Sequence, residues 1–133
     1  MRTLIAAAAL LLGAQALAAP PQAQAQVDAG RRLFARCAGC HDLGAGARNG
    51  FGPQLSGVVG RKAGSVAGYA YSPALKGSSL VWNERNLVAF IRDSEKVIPG
   101  NKMRFLSFMS EKQAADIVAY LRVHGVAAAP PRK

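Results

Sequence analysis

The chain has 133 residues, with 17 Lys and Arg against 7 Asp and Glu, and two cysteines. That length suits one small domain and leaves no room for two ordinary cores, and two cysteines are too few for a disulfide scaffold. A formal charge of +10 excludes a neutral surface and points to an anionic partner: nucleic acid, an anionic membrane or an acidic protein face.

Met1-Arg2-Thr3 is a short basic start, and the run from Leu4 to Leu17 carries no charge. Two small-x-small sites follow, Ala16-Leu17-Ala18 and Ala23-Gln24-Ala25. This is the layout of a secretory signal peptide. The run is too short for a membrane span, which needs about 20 residues, so an uncleaved anchor is the weaker reading. Cleavage after Ala25 is favoured over cleavage after Ala18, because Pro20 follows closely behind Ala18. Residues 1–25 are thus expected to be a leader. No later stretch is apolar and long enough to span a bilayer, so the mature protein is expected to be soluble.

In the mature chain the first helix is predicted from about Val27 to Ala38, capped by Asp28. Gly30, Leu33, Phe34 and Cys37 recur there at three- and four-residue spacing. The stretch from Gly44 to Gly68 is Gly-rich loop, and Ser72-Pro73 starts a short helical turn, since Pro suits the first helical position. A second helix begins at Asn83, with Trp82 before it and Leu87 inside it as a hydrophobic staple. Leu87, Phe90 and Ile91 form its apolar stripe. A third begins at Ser110, with Gln113 completing a capping box. Ala114, Ile117, Val118 and Leu121 form its inner face, and Gly125 ends it. No run alternates as a strand. The tail 127–133, Ala-Ala-Ala-Pro-Pro-Arg-Lys, cannot pack a core and is expected to fray.

Three short helices and long Gly-rich loops bury little apolar area, and a domain this small usually needs a staple or a prosthetic group. Cys37-Ala38-Gly39-Cys40-His41 supplies one. Two Cys three apart lie one helical turn from each other and can add to the two vinyl groups of a haem, while His41 falls on the same side and can reach the iron. This is the c-type haem attachment motif. A thioredoxin-type pair would need a strand-helix-strand setting. A zinc site would want a second Cys/His pair, and only His124 remains. A disulfide between the two would explain neither His41 nor the small core. For the sixth position of the iron, Met103, Met109 and His124 are the candidates. His124 falls at the end of the third helix, on the surface. Met103 follows the stiff Pro99-Gly100 turn, which favours it modestly over Met109, since a methionine is ordinarily core filler.

The motifs Gly30-x-x-x-Phe34, Cys37-x-x-Cys40-His41, Gly52-Pro53, Gly57-x-x-Gly60-Arg61, Trp82, Pro99-Gly100-x-Lys102-Met103 and Ala119-Tyr120-Leu121 stand in this order. The chain from about Val27 to His124 resembles a class I cytochrome c of the bacterial soluble type, close to mitochondrial cytochrome c. The resemblance implies an all-α fold over residues 26–126: three main helices, short helical turns and Gly-rich loops wrapped around one covalent haem c. It implies Met103 as the axial ligand opposite His41, and the Pro53 carbonyl as acceptor for the ring N–H of His41. It places Arg61, Tyr71 and Trp82 beside a haem propionate, with Asn101, standing in for a Thr, as a further propionate partner. It sets Gly30 and Phe34 where the first helix crosses the last, opposite Ile117 and Tyr120, and Phe105 beside the exposed haem edge. The chain departs from the mitochondrial pattern at Phe90, usually a Tyr that bonds the Met sulfur. It departs also at Leu75, where a polar residue is usual, and at Glu95, a usually basic rim position.

With both axial positions filled, no site is open to substrate, which implies outer-sphere one-electron transfer rather than an enzyme. Electrons would pass from a quinol-oxidising membrane complex to a terminal oxidase or a photosynthetic reaction centre, in the periplasm, with the protein a monomer. Arg31, Arg36, Lys96, Lys102 and Arg104 match or adjoin the rim of the haem edge, where a basic rim steers a carrier to acidic docking faces. A haem-binding subunit of a fixed complex, or a ligand-binding haem protein with a labile Met103, are the other function classes. Nucleic-acid binding is a poor reading, because no recognition motif accompanies the charge.

Overall fold

The structure, a computed structural model, describes residues 20–125. Five helices follow one another: α1 (Pro21–Phe34), α2 (Pro73–Lys76), α3 (Glu84–Arg92), α4 (Ser94–Val97) and α5 (Glu111–His124). Among the described residues the only extended pairing is an isolated antiparallel bridge between Lys62 and Val81. It is reinforced by Trp82 N–H to the Arg61 carbonyl at 2.9 Å and Ala63 N–H to the Leu80 carbonyl at 2.8 Å.

The long helices start where the sequence puts the caps. Asn83 accepts from the Asn86 N–H, and the Asn86 side chain accepts from the Asn83 N–H, closing a capping box on α3. Ser110 and Gln113 do the same for α5, and Ser72 caps α2 ahead of Pro73. Each bond satisfies a donor that helical geometry leaves without a partner. Trp82 and Leu87, the expected staple of α3, are both buried in the core.

α1 differs from its expected bounds. It begins at Pro21 rather than Val27 and ends at Phe34 rather than Ala38. Asp28 is not its cap; it lies inside the helix and accepts from the Gln24 side chain at 3.2 Å. Pro20 stands at the N-cap without a side-chain bond and Pro21 opens the helix, a position where the missing N–H costs nothing. Residues 20–26 are exposed and Val27 is the first buried residue of α1, so a cut after Ala25 would remove helix but no core. Residues 1–19 of the expected leader and the whole expected tail lie outside the described residues.

α1 crosses α5, and α3 packs on both α5 and α4. The crossing is close because Gly30 has no side chain: a Cβ there would run into the Asp116 carbonyl, with Tyr120 Cβ at 2.8 Å. One turn on, the Phe34 and Tyr120 rings meet at 5.5 Å between centroids. Ala114, Ile117, Val118 and Leu121 of α5 are each less than 5% exposed, which is the inner face expected from their spacing. Asp116 is an unexpected member of that face. It is 3% exposed and one carboxylate oxygen takes a 2.8 Å bond from Lys112.

Candidate functional site

α1, α3, α5 and the loops between α1 and α2 and between α4 and α5 enclose a mainly apolar cavity of about 400 Å³. Phe34, Val58, Trp82, Leu87, Phe90, Ile91, Ile117 and Leu121, all core residues, form much of its wall. Cys37, Cys40, His41 and Met103 all open into it.

After α1 ends, the chain keeps winding through turns. Cys37 N–H bonds the Phe34 carbonyl at 2.8 Å, and both Cys40 N–H and His41 N–H bond the Cys37 carbonyl at 3.0 Å. These bonds place both thiols and the imidazole on one side, although regular helix has stopped. Burial pushes the Cys37 thiol above its usual range, an effect the neighbouring Arg36 charge opposes.

His41 is the most constrained of the four. Its Nδ1 lies 2.8 Å from the Pro53 carbonyl. A carbonyl only accepts, so Nδ1 carries the hydrogen and Nε2 keeps its lone pair. A bond of this kind fixes the tautomer and strengthens the ring as a donor. Burial lowers the imidazole pKa, against the opposing effect of the Pro53 bond, a direction that favours the neutral ring a metal ligand needs. Gly52 makes room for it. A Cβ at Gly52 would sit 2.6 Å from His41 Nδ1 and 2.9 Å from Nε2, while the Gly52 N–H ties back to the Cys40 carbonyl at 2.8 Å. Gly52→Ala should therefore break the His41–Pro53 bond and destabilise the holoprotein by about 2 kcal/mol, an overpacking cost. The midpoint of denaturant unfolding checks this; an unchanged midpoint would show that the ring has room to move.

The other expected site residues divide into two groups. Arg61, Tyr71 and Trp82 reach the cavity. Arg61 donates to the Ser56 carbonyl at 2.9 Å and the Gln54 carbonyl at 3.0 Å, and burial lowers its pKa. The Tyr71 hydroxyl accepts from the Val66 N–H at 3.2 Å, and burial raises its pKa, so it keeps a proton to donate. The Trp82 ring tilts against Phe90 at 4.9 Å. Leu75 and Phe90, two of the departures, also line the wall.

Asn101 is not among the residues that line the cavity. Only 1% exposed, it has both ends of its amide engaged inside its own loop. Nδ2 donates to the Ile98 carbonyl at 2.9 Å and Oδ1 accepts from the Met103 N–H at 2.8 Å. Of the other candidate ligands, Met109 is 5% exposed within the core and His124 lies at the exposed end of α5, its ring 4.9 Å from Tyr120.

Of the five basic residues expected at the rim, Arg36, Lys102 and Arg104 line the cavity. Arg36 stands over the Phe105 ring at 5.9 Å, and Lys102 donates to the Ala70 carbonyl at 2.9 Å. Arg31 lies in the last turn of α1 and Lys96 faces a separate cleft beside Phe108. Tyr69, which sequence reasoning passed over, also lines the cavity. It meets Tyr71 edge-on at 4.7 Å and donates to the Phe51 carbonyl at 2.7 Å.

Two thiols, a neutral imidazole with a fixed tautomer and a thioether around one apolar hollow, with cations at its edge, fit a flat, hydrophobic, iron-bearing ring with acidic substituents. The fold and the site define a small all-α haem protein. The family model described as cytochrome c matches residues 27–124. Cytochrome c2 of Rhodoblastus acidophilus is 47% identical over 94 residues, 71% of this chain and 88% of that protein. Cytochrome c-550 of Nitrobacter winogradskyi is 40% identical over 95 residues, 71% of this chain and 87% of that protein. The structure of cytochrome cH from Methylobacterium extorquens aligns with a TM-score of 0.68 at 44% identity, over 73% of this chain and 97% of that chain. The chain belongs to the cytochrome c family: an electron-carrier cytochrome with haem c held covalently through its Cys-x-x-Cys-His motif.

Proposed function

We propose that the protein is a mobile one-electron carrier of the periplasm. It takes electrons from a quinol-oxidising membrane complex and delivers them to a terminal oxidase or a photosynthetic reaction centre. The bound haem supplies a ferric–ferrous couple. Cys37 and Cys40 would hold it by thioether links and His41 and Met103 would ligate its iron, with the ring N–H of His41 anchored on the Pro53 carbonyl. With both ligands in place the iron would offer no position to a substrate, which favours a carrier over an enzyme. A soft thioether favours the ferrous state, and His/Met ligation raises the potential. Arg61, Tyr71 and Trp82 supply donors toward the acidic edge of the ring, where a buried carboxylate needs a partner. The export reading of residues 1–25 places the protein outside the cytoplasm. No described helix is long and apolar enough to cross a membrane.

The observation that carries this reading is the convergence of Cys37, Cys40, His41 and Met103 on one apolar cavity edged by Arg36, Lys102 and Arg104. The ferric optical spectrum tests it: a low-spin iron with a sulfur-to-iron charge-transfer band is expected, and a high-spin spectrum would exclude it.

Docking gives a second test. Exposed charges act over about 10 Å at 0.1 M salt, so electron transfer to an acidic membrane partner should be bimolecular and should slow as salt rises. Arg36→Glu should cut the association rate about tenfold at low salt while leaving the spectrum unchanged. Lys62→Glu alters net charge equally but lies in the Lys62–Val81 bridge, away from the cavity lining, and should do far less. Stopped-flow kinetics would separate them, and equal effects would leave general charge attraction and no docking rim.

A further inference from the structure

The loop from Pro99 to Met103 has no regular structure of its own, and it turns at Gly100, where φ is 83°. Something outside the loop has to hold it, and the four-residue α4 does. The Glu95 carboxylate accepts from the Gly100 N–H at 2.9 Å through one oxygen, while the other lies 3.5 Å from the Asn101 amide nitrogen. The Ser94 hydroxyl donates to the Met103 carbonyl at 3.2 Å. α4 is itself fixed by Asp93, which caps it through a 3.1 Å bond from the Lys96 N–H. Two consecutive side chains thus grip the loop at both ends, at the residue after Pro99 and at Met103 itself. The other two Asn101 side-chain bonds, to the Ile98 carbonyl and from the Met103 N–H, lie within the loop and its flank and brace it.

We propose that Ser94 and Glu95 are positioning residues that clip the Met103 loop to α4 and hold the thioether at the cavity. This rests on the reading of Met103 as an axial ligand. Glu95 forms no ion pair among the described residues; its carboxylate faces the loop rather than a basic neighbour. An ionised acceptor makes a stronger bond to a backbone N–H than a neutral one does, and surface water weakens the advantage without removing it. Ser94 adds a neutral, part-buried bond to the carbonyl of the ligand residue itself. A surface glutamate kept only for its charge would not need Gly100 beside it.

The test uses the ferric holoprotein with imidazole as the probe, since imidazole reaches the iron only when Met103 releases it. Glu95→Ala should take up imidazole about tenfold faster than wild type and Ser94→Ala about threefold faster. Glu95→Gln keeps an acceptor oxygen and should stay within about twofold of wild type. Hydrogen exchange gives a readout that does not pass through the iron. The Gly100 amide should exchange about tenfold faster in Glu95→Ala, while the Leu121 amide in the core helix α5 is unchanged. Wild-type imidazole uptake and wild-type Gly100 exchange in Glu95→Ala would overturn the proposal. So would a Glu95→Gln variant as fast as Glu95→Ala, because charge and not the bond would then be responsible. If Met103→Ala binds imidazole no faster than wild type, the ligand reading falls instead, and faster Gly100 exchange in Glu95→Ala would still uphold the clip.

Discussion

Cys37→Ser combined with Cys40→Ser, which leaves haem with no covalent anchor, should yield a chain with little native helix. The cavity explains why. Removing buried volume from a core costs about 24 cal/mol for each Å³ left empty, so a hollow of about 400 Å³ amounts to a loss on the order of 10 kcal/mol. The whole stability of a small domain is about 5–15 kcal/mol. The walls cannot close to recover that loss, because they are the core itself. Phe34, Trp82, Phe90 and Ile117 come from three helices and a loop, and each faces the hollow. Collapse onto one another would break the α1–α5 crossing that Gly30 makes possible. Far-UV circular dichroism of the double variant, beside wild type carrying one haem by mass spectrometry, checks this. A haem-free chain with wild-type helix content and a cooperative melt would show that protein contacts alone support the fold.

The sequence made the covalent motif and both capped helices readable, for physical reasons. A cap is a local signal. Asn83 and Ser110 each sit three residues before a side chain that bonds back, and the apolar spacing behind them defines a face without knowledge of the partner. The Cys37–His41 motif is local too, and the turn bonds from Phe34 to His41 supply the winding even though α1 stops at Phe34 rather than Ala38. Hidden features depend on contacts made across the chain. α4 is four residues long, and its cap residue Asp93 also ends α3, so no periodicity announces it. Glu95 reads as a stray charge on a basic rim until the loop at Gly100 is folded against it. Asn101 hides its bracing part for a related reason: its amide donates to the Ile98 carbonyl and accepts from the Met103 N–H, bonds that exist only once the loop is folded. The early start of α1 has no capping side chain, only a Pro pair that reads equally well as linker. Asp116 shows the limit of pattern alone, since a carboxylate between Ala114 and Ile117 looks like a polar face until Gly30 brings α1 down onto it.

Met103→Ala should change the iron and leave the fold, while Met109→Ala should do the reverse. Met103 lines the cavity and is only partly buried, and its backbone is held by Asn101 and Ser94 rather than by its own side chain. Removing the thioether should therefore open the iron on the proposed reading without removing what shapes the loop. The sulfur-to-iron band should vanish, cyanide or imidazole should bind at once, and the potential should fall. Axial-ligand choice spans about 0.8 V across haem proteins, and exchanging a soft thioether for water should account for roughly a quarter of that range. Met109 has no such part to play. It is 5% exposed in the core cluster, where truncating a methionine costs about 2–3 kcal/mol. In a domain of this size that lowers the melting temperature by roughly 10–15 °C. The spectrum and potential of Met109→Ala should match wild type. The two variants remove the same atoms from residues six apart, so the comparison holds side-chain chemistry constant and varies only place. A ferric band that survives in Met103→Ala and disappears in Met109→Ala would assign the sulfur to the wrong methionine and dissolve the carrier mechanism built on the Pro99–Met103 loop.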